Sequence, residues 1–405
     1  MSTFLYKARD KAGKKVSGTI EAISEKSAAD RLVEKGYLPS SIRAKVYSTV
    51  NRMLFLGRTR VPPDDMTMFY LQLGNMLDAG LPLLTALRTV QNQIENSGFR
   101  IMALDLVKRI ENGESFSECM HHHESVFPIL YQSMVEVGET SGSLGQVFHH
   151  IAELNEAKSE LNHEVRSALA YPMVLMLASV AVVILMMVWV IPAFTLIFDK
   201  SGIPLPLPTR LIYGLSMFVK NNIAVLIGIF IGLVIGIRYL LKIKSIKHQW
   251  DKFWITFPII GLLTKRIEIA RWSRSVALML SSGVPILKTL EVGKSLTQNS
   301  LFEETYEFTI ENVRSGGQVA ESLESKKILP QDVIQMVSTG ENSGTLDKML
   351  YKVAQFYDQL VKRSLKKLTT TIEPIFILFM GGVVGFIMLS ILLPIFDMIK
   401  IFSPK

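Results

Sequence analysis

Apolar residues change their period along this chain, and each change predicts an element. Met173 to Ile191 carries no charge and is bracketed by Pro172 and Pro192. As a helix this run is about 28 Å long, which matches the hydrocarbon core of a bilayer. Ile223 to Leu241 is a second such run, and its single charge, Arg238, lies at the end, where a long side chain can snorkel. Pro374 to Ile395 is a third, again uncharged. These lengths predict three membrane-spanning helices.

Elsewhere the apolar residues recur at helical spacing. Met66, Phe69, Tyr70, Leu73, Met76 and Leu77 share one helix face, and Ile269, Trp272, Val276, Met279 and Leu280 share another. Gly80 and Gly283 follow directly, as glycine does beyond a helix C-terminus. Pro82 and Pro285 stand where a next helix can begin. Both stretches belong to an internal duplication at a spacing of 202 to 203 residues. Asp78-Ala-Gly-Leu-Pro-Leu-Leu-Thr-Ala-Leu87 recurs as Ser281-Ser-Gly-Val-Pro-Ile-Leu-Lys-Thr-Leu290. Val137-Gly-Glu-Thr-Ser-Gly-Ser-Leu144 recurs as Thr339-Gly-Glu-Asn-Ser-Gly-Thr-Leu346. Gly142 and Gly344 interrupt two long helical patterns, so each copy reads as a bundle of about six antiparallel helices that runs into a span.

The predicted fold is mostly α. Residues 1–45 form a small ββα module, with Phe4, Tyr6 and Ala8 alternating as on a strand, Val16 to Ala22 returning, and a helix from Glu25 to Lys35. Residues 46–65 are a basic linker, whose patch Met53-Leu54-Phe55-Leu56 is either plain linker or a membrane-surface contact. The first bundle takes 66–170, the first span 171–192, a periplasmic connector 193–222 and the second span 223–241. A basic linker follows at 242–266, then the second bundle at 267–372, the third span at 373–396 and a periplasmic tail at 397–405. Gly228, Gly232 and Gly236 recur on one face of the second span, and Gly381 and Gly385 on the third. Such spacing lets helix backbones approach within or between chains, and it suits a homo-oligomer.

Composition refines this picture. The chain has 405 residues, is 49% hydrophobic, and has a mean hydropathy of +0.30. That is too apolar for a soluble protein and too polar for a many-pass carrier. The net charge of +8 is gathered beside the spans. Lys242, Lys244, Lys247, Lys252, Lys265 and Arg266 follow the second, and Lys362, Arg363, Lys366 and Lys367 precede the third. Basic flanks face the cytoplasm, so both bundles and the N-terminus are expected there. This clustering favours a membrane surface over nucleic acid. Met1 to Ser17 holds no apolar stretch of the kind a cleavable signal needs. Cys119 is the only cysteine, which excludes an internal disulfide and a thiolate zinc site.

The motifs resemble a known family, the inner-membrane platform proteins of type II secretion and type IV pilus assembly. The resemblance rests on Phe4-x-Tyr-x-Ala8 with Gly18-x-Ile-Glu-Ala22, and on Ala79-Gly-Leu-Pro82 and Gly138-Glu-x-Ser-Gly-x-Leu144 with their second copies. Tyr171-Pro172 and Leu205-Pro-x-Pro-Thr209 extend it over nearly the whole chain. One departure is Glu373-Pro374 where the first copy has Tyr171-Pro172. The resemblance implies a non-enzymatic scaffold without cofactors. It would couple a cytoplasmic assembly or retraction ATPase to the extraction and polymerisation of pilins or pseudopilins, beside inner-membrane alignment proteins and lipid.

Candidate chemistry is sparse. Gly293-Lys294-Ser295 ends like a phosphate loop, but Lys288 stands where that loop needs glycine, and no strand precedes it. His121-His122-His123 reads as a solvated loop, since adjacent side chains diverge. His149 and His150 read as helix-surface residues. Glu139 and Glu341 stand out, each beside a glycine of the duplicated signature. A carboxylate there can cap a neighbouring helix, hold a cation, or receive a basic partner. The structural and partner-binding signature is therefore Gly80, Pro82, Gly138, Glu139 and Gly142, with Gly283, Pro285, Gly340, Glu341 and Gly344. A small transporter or a membrane-bound receptor scaffold is the alternative, although three spans whose single charge, Arg238, lies at an end offer no intramembrane ion site.

Overall fold

The computed structural model describes residues 2–9, 15–22, 25–34, 36–44, 61–194, 206–258 and 260–402. The 46–60 part of the basic linker with its Met53–Leu56 patch, most of the Gly202–Pro208 connector, and Ser403–Lys405 lie outside them.

At the N-terminus, β1 (Ser2–Arg9) pairs antiparallel with β2 (Lys15–Ala22), and α1 spans Glu25–Glu34. A two-stranded ββα unit is not what forms. A third strand, β3 (Leu38–Ala44), takes the other edge of β1, giving the order β2-β1-β3. Pro39 reads as a strand breaker in the sequence, but an edge strand tolerates it. The pairing of β1 with β3 shifts register beside it, between Lys7 and Ala8.

The first repeat contains α2 (Pro63–Asp78), α3 (Leu83–Gln93), α4 (Ser97–Glu111), α5 (Phe116–His121), α6 (Ile129–Ser141) and α7 (Leu144–Leu185). A long helix, α8 (Leu207–Leu240), and a short one, α9 (Lys244–Thr256), connect it to the second repeat. That repeat contains α10 (Ile260–Ser281), α11 (Ile286–Ser295), α12 (Ser300–Arg314), α13 (Val319–Ser325), α14 (Gln331–Ser343) and α15 (Leu346–Phe402). Each helix of the first repeat has its counterpart in the second.

Local chemistry fixes the boundaries. Pro63 opens α2, and Asp64 and Asp65 favour the positive end of its dipole. The helix closes at Gly80, whose φ of +83° lets Leu81 N donate back to Met76 O at 3.0 Å. Gly283, at +84°, repeats this with Val284 N on Met279 O, also at 3.0 Å. Asn96 caps α4, and Ser115 with Glu118 forms a capping box on α5.

Both last helices run without a break out of their bundles. α7 passes through Pro172, then through a π-helical turn at Met186–Val190, and stays helical to Phe194. α15 passes through Pro374 and Pro394 and reaches Phe402, so the residues read as a tail are mostly helical. Its 57 residues extend about 85 Å at the α-helical rise. Among the described residues, α7, α8 and α15 are the helices long and apolar enough to cross a membrane. α8 begins well before Ile223 and kinks at Asn222. Ile191, Ile212 and Ile387 pack the three helices together at one end, where Thr209 Oγ1 donates to Ser390 O at 2.6 Å.

A single apolar core runs through both bundles. Phe69, Tyr70, Phe99 and Phe148 lie in it from the first, and Trp272, Phe302 and Tyr306 from the second.

Candidate functional site

The duplicated signature builds one device twice. α6 ends at Gly142 (φ +72°) and α14 at Gly344 (φ +68°), which turns the chain back into α7 and α15. Gly138 and Gly340 let these antiparallel neighbours approach. A Cβ on Gly138 would lie 2.8 Å from Val147 Cγ2, and one on Gly340 would lie 2.8 Å from Leu346 Cα. Next to each glycine, the carboxylate crosses to the preceding short helix. Glu139 accepts from Phe116 N at 2.5 Å, from Ser117 N at 3.1 Å and from the Ser117 hydroxyl. Glu341 accepts from Val319 N at 2.7 Å and from Ala320 N at 3.0 Å. These are first-turn N–H groups that a helix cannot satisfy itself. The geometry is that of a cap, with the oxygens already engaged by donors. No group of three or more His, Cys, Asp or Glu suited to a metal occurs among the described residues.

Where the bundles meet, they share a layer of charge. Arg274 on α10 lies between Glu153 of α7, at 3.3 Å, and Asp358 of α15. Tyr351 Oη donates to the same Glu153 oxygen at 2.7 Å. Burial pushes the Asp358 carboxyl above the ordinary range, against the pull of Arg274. Its hydrogen bond to Glu153, then burial, pushes the Tyr351 phenol up. One layer nearer the apolar segments, Lys362 Nζ bridges Glu160 at 2.8 Å and Glu164 at 2.7 Å, and these bonds hold its ammonium above the ordinary value. Nearer still, Tyr171 Oη donates to Glu373 at 3.3 Å. Glu160 with Lys362, and Tyr171 with Glu373, are equivalent positions of the two repeats. α7 and α15 therefore run parallel and in register. A groove of about 260 Å³ lies beside this layer, lined by Leu154, Lys158, Arg271 and Asp358 among others.

Sequence reasoning missed most of this layer. A signal was present, because opposite charges stand one repeat apart at Glu160 and Lys362. His150 is not a plain surface residue, since its Nδ1 lies 2.8 Å from Ser282 Oγ of the second bundle. His149 packs over Gly74 and pairs with Asp78 at 2.8 Å. The histidine run is not wholly solvated either. His121 ends α5, and His123 turns inward to Asp105 at 3.1 Å. Gly293 lies inside α11 against the Trp272 indole, so no phosphate loop forms there. Gly228, Gly232, Gly236, Gly381 and Gly385 have no atom within 4 Å of an added Cβ, so they meet no helix of the same chain among the described residues. Pro82 and Pro285 precede α3 and α11 as their N-caps.

α9 forms a second surface. Asp251 accepts from Ser300 N at 2.9 Å, and His248 lies 3.3 Å from Glu304, so one flank docks on α12. Ile243, Ile246, Trp250, Phe253 and Phe257 recur at helical spacing on another flank and are exposed. That stripe starts where α8 ends, and Lys242 there lies over the Tyr239 ring at 5.0 Å.

A family model described as type II secretion system (T2SS), protein F matches this chain twice, over residues 69–192 and 272–394. A model of the N-terminal domain of type II secretion system protein F matches residues 1–43. The chain is similar to a Thermus thermophilus protein named type IV pilus assembly protein PilC, at 33% identity over 405 residues, covering 100% of both. A Myxococcus xanthus protein of the same name is 31% identical over 396 residues, 98% of this chain and 94% of that protein. A Pseudomonas aeruginosa protein named type II secretion system protein F is 30% identical over 401 residues, 98% of this chain and 99% of that protein.

Proposed function

The chain belongs to the type II secretion system protein F family, and on that premise we propose that it is the inner-membrane platform of a type IV pilus or type II secretion machine. It has no catalytic role of its own in this reading. A cytoplasmic ATPase acts on the bundles, and the apolar helices transmit the movement to pilins or pseudopilins in the bilayer. Both bundles and the N-terminus lie in the cytoplasm.

The observation that carries this reading is continuity. α7 and α15 each leave a bundle as an unbroken helix and enter an apolar segment, and three layers of polar contacts bind them side by side. A rotation imposed on the bundles has no joint in which to dissipate. Proline lacks an N–H and favours a bend, so Pro172 and Pro374 set direction without ending either helix. The aromatic stripe of α9 suits the headgroup layer, where amphipathic rings and lysines such as Lys247 and Lys252 both find partners.

The test is to insert a short glycine-serine segment after Ser167 in α7 and to measure pilus number or secreted protein in cells lacking the native chain. Membrane insertion is expected to persist while output is lost. Normal output from a chain with that break would overturn the coupling role. Crosslinking each bundle to the ATPase in cells would identify which bundle receives the force.

A further inference from the structure

The two bundles are homologous, so their contact can be classified as two subunits would be. In a two-fold contact, every interaction appears twice with the partners exchanged. That does not hold here. Gly283 of the second bundle sits against Val137 of the first, 3.4 Å from an added Cβ to Val137 Cγ1. The exchanged pair would be Gly80 with Thr339, and Gly80 has nothing within 4 Å. Lys288 pairs with Glu136 at 2.7 Å, whereas the exchanged positions, Thr85 and Ser338, form no such contact. Val284 is 2% exposed, while its counterpart Leu81 is 42% exposed. Leu154 is 7% exposed, while its counterpart Phe356 is 49% exposed.

The contact is therefore head-to-tail. The α10/α11 corner of the second bundle sits on the α6/α7 corner of the first. A head-to-tail contact between like units leaves one unused face of each kind. These are the α2/α3 corner of the first bundle and the α14/α15 corner of the second.

We propose that the occupant of each free corner is a second copy of this chain, whose α2/α3 corner docks on the α14/α15 corner of its neighbour. Contacts would then repeat between chains as they occur within one.

Two observations favour this occupant. The first is paired substitution across the two free faces. Within the chain, Arg274 faces Glu153; at the equivalent free positions stand Leu71 and Gln355. Within the chain, Lys288 faces Glu136; at the free positions stand Thr85 and Ser338. Each cation has gone from one face together with the anion from the other. Docking the two free faces therefore strands no charge at either position, which is the requirement for burying them. Docking either free face on the wrong internal face would oppose a charge to an uncharged residue, so the pattern also selects the register. One position is unmatched: Ala79 would face Lys352, an exposed side chain long enough to reach water.

The second is exposed apolar area in the places where the internal contact buries it. Met68 is 54% exposed on the α2 face, beside Leu71 and on the same corner as Leu81, and Phe356 is 49% exposed on the α15 face. In the repeated contact Phe356 would enter between Met68 and Leu71, as Leu154 lies with Arg271 and Arg274 in the internal groove. The apolar helices do not oppose the assembly. α7 and α15 run parallel and in register, so the rotation that relates the bundles keeps both directed the same way. Repeating it turns each added copy about an axis along the spans, and the copies remain in one membrane.

The experiment uses the full chain in its own membrane, since Cys119 is its one cysteine and is fully buried. A Leu81→Cys chain and a Thr339→Cys chain carrying different tags are co-expressed and oxidised. A disulfide-linked heterodimer is expected, and neither variant alone should link to itself. The double variant in one chain should give a ladder of linked species. Self-linking of Leu81→Cys alone would mean a face-to-face dimer and would overturn the proposal. Failure of the mixed pair to link, or capture of a different protein at Leu81→Cys, would overturn it as well. An independent reading comes from Phe356→Glu, which should reduce the detergent-purified chain to a monomer by light scattering. Adding Met68→Lys to the same chain should restore the oligomer, because the new charges would then face each other. An unchanged mass with Phe356→Glu would count against the contact. Neither assay depends on pilus or secretion output, so the platform reading can fail while this one stands.

Discussion

The first bundle holds a half-buried Asp105 between two basic groups, Arg109 at 2.9 Å and His123 at 3.1 Å, whereas the second holds a buried Glu268 and a half-buried Asp358, with desolvation as the dominant influence on each. Burial raises the Asp105 carboxyl too, but the hydrogen bonds and charges of Arg109 and His123 outweigh it and leave the group below its ordinary value. Glu268 and Asp358 stay above theirs. One fold thus handles buried charge in two ways. The difference follows from position. Asp105 serves only its own bundle, while Asp358 belongs to the joint between bundles and shares Arg274 with Glu153. A joint made of charge fixes which faces meet, and it does so at the cost of desolvating those charges.

The sharpest way to break this comparison is to remove the cation of the joint. Arg274→Leu leaves the half-buried Glu153 and Asp358 without their cation, and it should destabilise the protein by about 2 to 3 kcal/mol, somewhat less than for a fully buried pair because both carboxylates keep some water. The triple variant Arg274→Leu, Glu153→Gln, Asp358→Asn should recover most of that loss, because it converts the inner joint to the Leu71/Gln355 chemistry of the free corners. Denaturant unfolding of the full chain in detergent checks both. A triple variant no more stable than the single one would mean that the joint is not governed by charge pairing.

A second contrast lies in the duplicated glycines. Gly138 and Gly340 occupy equivalent positions, yet an added methyl meets a movable Val147 side chain in one and the Leu346 backbone in the other. Gly340→Ala should cost about 2 kcal/mol and Gly138→Ala about half that, since overpacking against backbone cannot relax by a rotamer change. Equal losses would show that α14 and α15 can separate as easily as α6 and α7. Bulky residues at either position should uncouple assembly while leaving membrane insertion intact.

These carboxyls give the two bundles opposite responses to pH. Asp105, with its lowered folded pKa, contributes stability above the ordinary carboxylate value and loses it as pH falls through the lowered one. His123, lowered mainly by burial, adds to the loss on the acid side, because the unfolded chain takes up its proton first. Glu268 and Asp358 hold their protons longer when folded, so the second bundle loses stability as pH rises from the ordinary carboxylate value to their raised ones. Hydrogen exchange resolved by peptide across mildly acidic pH should show the two bundles trending in opposite directions. Glu268→Gln should flatten the trend of the second bundle.

The duplication, the spans and the glycine signatures were readable because each leaves a local pattern: a period, a charge-free run, a Gly-Glu beside a helix end. The cap made by Glu139 and Glu341 was one of three readings, and only the placement of Phe116 and Val319 near them selects it. The third strand was hidden because Pro39 and two serines look like a loop until an edge is available. The joint was hidden for a deeper reason. Glu153 and Arg274 are far apart in sequence, and nothing near either residue distinguishes it from a solvated helix face. His150 looked like surface on the same grounds. The spacing of Glu160 and Lys362 by one repeat was the available clue, and it has meaning only once the two repeats are known to lie side by side.

The smallest effect tests whether the cores differ as the joints do. The first bundle places Tyr70 where the second has Ser273, and Ala103 where the second has Tyr306. All four are buried, so one large ring has moved between two sites while the volume stays nearly constant, the kind of exchange a core tolerates. The ring contacts change with it. Tyr70 meets Phe69 edge-on at 5.4 Å, whereas Tyr306 stacks on Trp272 at 4.7 Å with the planes 4° apart. Neither Tyr70 Oη nor Tyr306 Oη has a hydrogen-bond partner among the described residues. Their hydroxyls therefore add desolvation cost without a compensating bond. Tyr70→Phe and Tyr306→Phe should each leave stability unchanged or raise it by less than about 1 kcal/mol. Tyr131→Phe should lower it by about 1 kcal/mol, because Tyr131 Oη donates to Asn155 Oδ1 at 2.7 Å in the same core. If Tyr306→Phe proved as costly as Tyr131→Phe, the stacked ring would be held by its hydroxyl, and the relocation of the tyrosine would be a change of hydrogen bonding as well as of volume.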